Sequence, residues 1–346
     1  MTTMTNIDTT VTVGVDTHLD THVAVALDRV GQTLAVGSFR ADPRGYRALI
    51  AWGEQLGTVK AFGIEGTGCY GAGLARAARR AGHQVIEVDR PDRRTRRVHG
   101  KSDPVDAEAA ARAVLGGTAT GIPKTRDGDV EAIRALRVAR RGAVRIRIQV
   151  ANQLHALVIS APEPLRTQLR GLSTRQLVAT CAALRPAQQL NTVTATKHAL
   201  RTLARRHQDV DADIADLDQL LEQLVPRACP ALLDLFGIGV DTAGALLVTA
   251  GDNPERLHSD PAFASLCGVA PLPANSGKTT GRHRLNRGGD RQANAALYRI
   301  TLCRLRYDPA TRDYVERRTK EGLSKPEIIR CLKRYIAREV RHALLA

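Results

Sequence analysis

From Val11 the chain reads VTVGVDTHLDTHVAVALDRVGQTLAVGSF, three short β-branched stretches parted by turn residues. No other feature limits the fold as much, because it predicts an antiparallel meander of three strands with Asp16 at the end of the first. A helical stretch from Arg44 to Leu56 follows, then the strand VKAFGIE ending at Glu65. An Ala-rich helix around Leu74 to Ala81 and the strand HQVIEVD, ending at Asp89, complete the run.

Three antiparallel strands followed by alternating helix and strand is the order of a ribonuclease-H-like fold, an α/β domain with a mixed sheet. From Asp129 to about Arg227 there is no strand signal. Apolar residues recur at helical spacing through Ile133, Leu136, Val144, Ile148, Leu154 and Leu157, and again through Leu200, Leu203, Ile214, Leu217, Leu221 and Leu224. The pattern predicts two long helices joined by a Pro-broken loop. The first carries Arg134, Arg137, Arg140, Arg141, Arg145 and Arg147, the second Asp209, Asp211, Asp213, Asp216, Asp218 and Glu222, so opposite charges are expected to pair them. Two readings of this pair stay open: a solvated antiparallel hairpin, and a coiled-coil arm that joins another subunit or grips nucleic acid.

The last third begins with LFGIGVDTAGALLVTAGD, two short apolar helical pieces hinged on Gly237-Ile238-Gly239. That is the shape of a helix-hairpin-helix, in which Gly237 and Gly239 let backbone N–H groups approach a phosphate. A turn-rich stretch, SLCGVAPLPANSGKTTGRHRLNRGGDRQ, precedes helical material from Ala293 to the end. A length of 346 residues allows two or three domains at about 150 residues each. The expected division is 8–125, α/β; 126–228, helical; and 229–346, mostly α.

Lys and Arg number 51 against 35 Asp and Glu, a formal charge of +16, which points to a polyanionic partner. With 43% apolar residues, most of the chain can build packed cores rather than remain disordered. No apolar run approaches the roughly 20 residues of a membrane span, and MTTMTNIDTT lacks the basic and apolar regions of a signal peptide, so a cytoplasmic protein without membrane association is expected. Cys69, Cys181, Cys229, Cys267, Cys303 and Cys331 form no C-x-x-C pair and read as small core residues rather than a zinc site. Four Phe, one Trp and six Tyr leave little material for stacking on bases, so nucleic acid should be held mainly by its backbone.

Four carboxylates stand out: Asp16 and Glu65 closing strands, and Asp103 with Asp106 in KSDPVDAEAAARA at a helix start. Residues at i and i+3 share a helix face, with Cβ atoms about 5–6 Å apart. If that helix packs beside the two strand ends, four oxygen donors converge on a site suited to two Mg²⁺ ions about 3.5–4 Å apart, the arrangement of phosphodiester chemistry. The same residues admit plainer readings: Asp103 before Pro104 resembles an N-cap, Asp106 complements the helix dipole, and Asp16 and Glu65 sit in strand-end turns. The acid-rich run from Asp209 to Glu222 reads as a solvated helix face. Ser276 lies among turn formers, but Lys278, Arg282, Arg284 and Arg287 follow it and would stabilise a phosphate while a hydroxyl attacks phosphorus. His18, His22 and His283 read as surface histidines rather than general bases.

Together these segments resemble the DEDD-type transposases of insertion sequence family 110 over nearly the whole chain. The matching segments are Val13-Gly14-Val15-Asp16, Ile64-Glu65-Gly66-Thr67-Gly68, Lys101-Ser102-Asp103-Pro104-Val105-Asp106-Ala107, Gly237-Ile238-Gly239, and Gly268-Val269-Ala270-Pro271 with Ser276-Gly277-Lys278. The resemblance implies a RuvC-like catalytic domain in which Asp16, Glu65, Asp103 and Asp106 bind Mg²⁺, and a C-terminal transposase domain in which Ser276 is the nucleophile. It also implies a covalent phosphoserine link to DNA, a homo-oligomer built as a dimer of dimers, and an element-encoded noncoding RNA that pairs with donor and target DNA. The chain departs from the pattern at Asn294, where many relatives carry arginine, and at Gly322-Leu323-Ser324-Lys325, which replaces a Gly-Lys pair. Competing readings are a metal-dependent RuvC-like junction endonuclease without a covalent intermediate, a sugar or acetate kinase suggested by Val15-Asp16-Thr17, and a non-catalytic basic nucleic-acid binder.

Overall fold

The computed structural model describes residues 10–88, 102–275, 277, 283–286 and 288–346. The chain divides into two compact units, Met1–Arg126 and Asp127–Ala346.

In the first unit β1 (Thr10–Thr17), β2 (Thr21–Leu27) and β3 (Thr33–Arg40) form the expected meander, followed by α1 (Pro43–Leu56), β4 (Thr58–Glu65), α2 (Ala72–Arg80), β5 (Val85–Val88) and α3 (Asp103–Leu115). Asp89, the expected end of β5, lies outside the described residues. The sheet order is β3-β2-β1-β4-β5, antiparallel across β3-β2-β1 and parallel across β1-β4-β5. Central β1 is buried along almost its whole length because both sheet faces are covered. Val11, Val13, Val15, Phe62 and Ile64 pack with Leu49 and Ile50 of α1 and Leu74 of α2 on one face. On the other, Val25 and Leu27 meet Ala107 and Ala111 of α3.

The second unit begins with two long helices, α4 (Asp129–Ile159) and α7 (Thr192–Ala228). They run antiparallel: Arg140 bonds Asp218, and seven residues further along α4 Arg147 bonds Asp211 at 2.7 Å. The charge pattern of the sequence therefore agrees with their register. The connection is not only a loop, however. It folds into α5 (Glu163–Leu169) and α6 (Thr174–Ala182), since Leu165, Leu169, Leu177 and Val178 bury against Leu154 and Leu200 at that end of the long pair. At the other end Ile133 and Leu221 join a larger core with Leu246, Phe263, Leu297, Ile300, Ile336 and Val340.

That larger core is built by α8 (Val240–Ala250), α9 (Asp260–Leu266), α10 (Arg291–Tyr307), α11 (Pro309–Lys320) and α12 (Lys325–Leu345). The piece before the Gly237 hinge is a single 3-10 turn, Pro230–Leu232, rather than a short α-helix. Pro230 lacks a donor and holds Cys229 extended, at φ −165° and ψ 92°, so the helical hydrogen-bond ladder does not continue across it. The turn-rich stretch contains a small ribbon, β6 (Pro271–Pro273) antiparallel to β7 (His283–Leu285). Of the six cysteines, Cys181 and Cys267 are buried as expected, whereas Cys69 is exposed, because its turn after β4 lies at the surface. Among the described residues no helix is long and apolar enough to cross a membrane.

Candidate metal centre

The first unit brings acids together through a glycine seat. Gly14 of β1 and Gly63 of β4 are register partners. A Cβ on Gly14 would lie 2.1 Å from the Ala107 oxygen and 2.2 Å from the Ala111 nitrogen, and one on Gly63 would lie 2.6 Å from Val114 Cγ2. The missing side chains let the α3 backbone lie directly on the sheet. Side chains two positions apart along a strand share a face, so Asp16 and Glu65, each two residues beyond its glycine, belong to the face that α3 covers. Asp103 and Asp106 occupy the first turn of α3. Ser102, not Asp103, is the N-cap, and no side chain caps that end.

Asp16 is 7% exposed and Asp106 3%, while the Asp103 side chain is about half exposed. His18 Nε2 lies 3.1 Å from Asp16 Oδ2 and 3.3 Å from Asp103 Oδ1, so one imidazole bridges the two carboxylates. Burial foremost, then the repulsion of Asp103 and Asp106, raises the Asp16 pKa above the ordinary carboxylate range against the attraction of His18. Thr17 Oγ1 donates to the Glu65 carbonyl at 2.9 Å, which ties the ends of β1 and β4 together.

One ligand atom each from Asp16, His18 and Asp103 falls within 4.8 Å of the others. Glu65 is half-buried at the adjacent strand end and Asp106 is close enough to act on Asp16, but neither belongs to that tight trio. Clustered carboxylates that repel one another in a partly desolvated site are the donor set that a hard divalent cation satisfies. The residues present therefore fit such an ion.

Two histidines depart from the sequence expectation. His18 is no plain surface histidine, and His22 is fully buried, stacked on Tyr46 at 5.6 Å with its Nε2 unpartnered. The β2 start places His22 in the α1 core beside Thr17, and its pKa is pushed down by burial. The glycine seat was legible as a shared spacing, Gly14-x-Asp16 and Gly63-x-Glu65.

In the second unit, Gly237 has φ +81° and Gly239 faces open space. The Gly239 N–H donates to Thr242 Oγ1 at 3.1 Å as α8 starts. Arg284 is exposed on β7. Ser276, Lys278, Arg282 and Arg287 lie outside the described residues. His283 is exposed on the same strand, as expected.

A five-stranded mixed sheet in this order, with acids at the ends of its two central parallel strands and more on the helix across them, is consistent with a RuvC-like domain. Residues 13–161 match the model of the DEDD transposases of IS110, and residues 229–316 match the model described as Transposase IS116/IS110/IS902 family. The chain belongs to the IS110 family of transposases. It is 29% identical over 151 residues to the insertion element IS900 uncharacterized 42 kDa protein of Mycobacterium paratuberculosis, covering 43% of this chain and 37% of that one. With the insertion element IS110 uncharacterized 43.6 kDa protein of Streptomyces coelicolor it shares 32% identity over 136 residues, 38% of this chain and 32% of that one. The match thus spans about a third of each of these two relatives. A transposase for insertion sequence element IS1328 of Yersinia enterocolitica is 26% identical over 249 residues, 69% of this chain and 70% of its own.

Proposed function

We propose that the protein is a DNA transposase and site-specific recombinase of an insertion sequence, with Asp16, Glu65, Asp103 and Asp106 holding Mg²⁺ and Ser276 attacking DNA. The supporting observation is the convergence of Asp16 and Asp103 across the glycine seat, close enough for one imidazole to touch both. Bound Mg²⁺ supplies positive charge against the scissile phosphate. Asp16 and Asp103, which repel each other, would hold that ion together with Glu65 and Asp106. The Ser276 hydroxyl forms the Oγ–P bond as the bond from phosphorus to the departing strand breaks. The hydroxyl proton passes to solvent water, and the departing strand's oxygen takes a proton from water to end as a hydroxyl. The ester conserves the energy of the broken linkage, so a second strand end reverses the attack without ATP.

Lys278, Arg282, Arg284 and Arg287 serve the phosphate oxygens, and Gly237 and Gly239 offer close backbone approach to a neighbouring phosphate. In this reading residues 8–125 are the metal-binding domain, 126–228 a coiled-coil arm, and 229–346 the serine-bearing domain with a helix-hairpin-helix type hinge. An element-encoded noncoding RNA pairs with donor and target DNA, in keeping with the scarcity of aromatic residues. Exposed Val138, Ile146 and Ile148 along α4 are in keeping with a homo-oligomer; the dimer of dimers in a bacterial cytoplasm is what the family resemblance implies.

Incubating the protein with element-end DNA and Mg²⁺, then running a denaturing gel, tests the reading. A protein–DNA adduct is expected from the natural chain and from neither Ser276→Ala nor Asp16→Asn. Full cleavage by Ser276→Ala without any adduct would replace this reading with the metal-only endonuclease, for which the acids of the first unit suffice.

A further inference from the structure

A cavity of about 780 Å³ in the second unit is lined by the β6–β7 ribbon, α11 and α12. Among the described residues its walls include the cations Arg284, Arg318, Arg330, Lys333 and Arg334, against one carboxylate, Glu327. Glu327 is already engaged: it accepts from the Ser324 N–H at 2.9 Å and from Ser324 Oγ at 2.6 Å, and lies 3.9 Å from Arg330. Among the described residues Arg284, Lys333 and Arg334 pair with no carboxylate. Of these cations Lys333 is buried, and a buried ammonium is costly without an anion.

Lys333 makes the site a built one. It is 7% exposed, and Nζ donates to Asn294 Oδ1 at 2.8 Å. Asn294 Nδ2 in turn donates to the carbonyls of Gly268, at 2.8 Å, and Cys267, at 3.2 Å, so the amide is locked and only its oxygen faces the lysine. An ammonium group has three donors, and a neutral amide spends one of them without cancelling the charge. The Arg318 Nε is likewise buried and without a partner, although another nitrogen of its guanidinium bonds Glu321. Burial first, then Arg330, also lowers the Lys333 pKa, as an anion at Nζ would reverse.

The chemistry of the walls narrows the ligand. Among the described residues no Phe, Tyr or Trp lines the cavity, so these walls offer no platform for a stacked base. Dispersed guanidinium and ammonium donors suit the oxygens of successive phosphates. Ala274 and His283, which flank the segment containing Ser276 in sequence, both line the cavity.

We propose that this cavity binds the phosphodiester backbone of a DNA strand, with Lys333 as the anchoring cation and Arg330 and Arg334 as its neighbours. The assignment of DNA rests on the transposase reading above, whereas the anion site rests on the cavity itself. It gives the C-terminal helix α12 a role in holding substrate, and it places that role on residues outside the basic cluster that follows Ser276.

The test is binding of the full-length protein to a short DNA duplex, by fluorescence anisotropy across a salt series, for the natural chain, Lys333→Met, and Arg330→Gln with Arg334→Gln. Arg29→Gln, in the exposed β2–β3 turn, controls for the loss of one charge. Lys333→Met should weaken binding about tenfold, as expected for a lost charge-assisted hydrogen bond. It should also lower the slope of log affinity on log salt by about 0.9, one phosphate contact. The double variant should lower the slope about twice as much, and Arg29→Gln should leave affinity nearly unchanged. Melting curves accompany each variant, and the double variant, altered at partly exposed positions, decides the matter if Lys333→Met is unfolded. Pocket variants no weaker than Arg29→Gln would overturn the proposal, as would a natural chain that does not bind, or losses confined to a matching RNA. Pocket-specific loss of DNA binding in a protein that forms no adduct would sustain this proposal while the serine chemistry fails.

Discussion

Gly14 and Gly63 lie side by side on β1 and β4, and the space their missing side chains leave is filled by the backbone of α3. This pair sets the distance between sheet and helix, and with it the distance between Asp16 and the acids of the first turn of α3. A methyl on Gly14 would meet backbone atoms of Ala107 and Ala111, which yield only if the whole helix moves.

Gly14→Ala should therefore destabilise the first unit by about 3 kcal/mol, the upper end for overpacking a close-packed interior. Urea unfolding monitored by far-ultraviolet circular dichroism measures this. The variant should also lose Mg²⁺-dependent stabilisation, because a lifted α3 carries Asp103 and Asp106 away from Asp16. A Gly14→Ala protein as stable as the natural chain would show that α3 does not rest on this seat.

Asp16 gives a pH-dependent prediction. Its folded pKa is raised, foremost by burial and then by Asp103 and Asp106, so the native state holds its proton more tightly than the unfolded chain does. Without metal, its contribution is most favourable below the unfolded value, about 3.9, and turns against folding as pH rises through the window up to the raised folded value. At pH 7 in EDTA, Asp16→Asn should consequently melt above the natural protein, and the difference should shrink toward pH 3. Adding Mg²⁺ should raise the melting temperature of the natural chain more than that of Asp16→Asn. Differential scanning calorimetry in both conditions reads both effects, and a variant that melts lower than the natural chain at pH 7 in EDTA would contradict the raised pKa of Asp16.

The α4–α7 register rests partly on Arg147 and Asp211, an ion pair at 2.7 Å with side chains 37% and 51% exposed. Exposed pairs of this kind contribute about 0.2–1 kcal/mol. Arg147→Glu should destabilise the second unit by no more than about 1 kcal/mol, since it places two acids together at the surface. Adding Asp211→Lys should recover most of the loss, measured as a coupling energy in a double-mutant cycle of denaturant unfolding. No recovery would mean that the two side chains do not meet in solution.

Much of the architecture was legible in the chain. The meander, the two following strands, the helices between them and the two long basic and acidic helices all follow from periods of two and 3.6 residues, which are local properties. The helices α5 and α6 were missed because their apolar residues are few and close a core only against Leu154 and Leu200, far away in sequence. His22 was misread because a histidine beside a turn is usually exposed, and only the packing of Tyr46 from α1 shows that it is not.

The candidate site divides in the same way. Asp16, Glu65, Asp103 and Asp106 were visible as acids at element ends, where a strand or helix stops and a side chain can reach beyond the packed layer. That Asp16 and Asp103 share one imidazole, while Glu65 stands apart from that trio, depends on how α3 settles on two glycines, a packing result that no local period encodes. Lys333 is the sharper case. Its helical position was predictable, but its burial against Asn294 arises only when α12 crosses α10, because the cost of desolvating an ammonium is fixed by the neighbours that tertiary folding supplies.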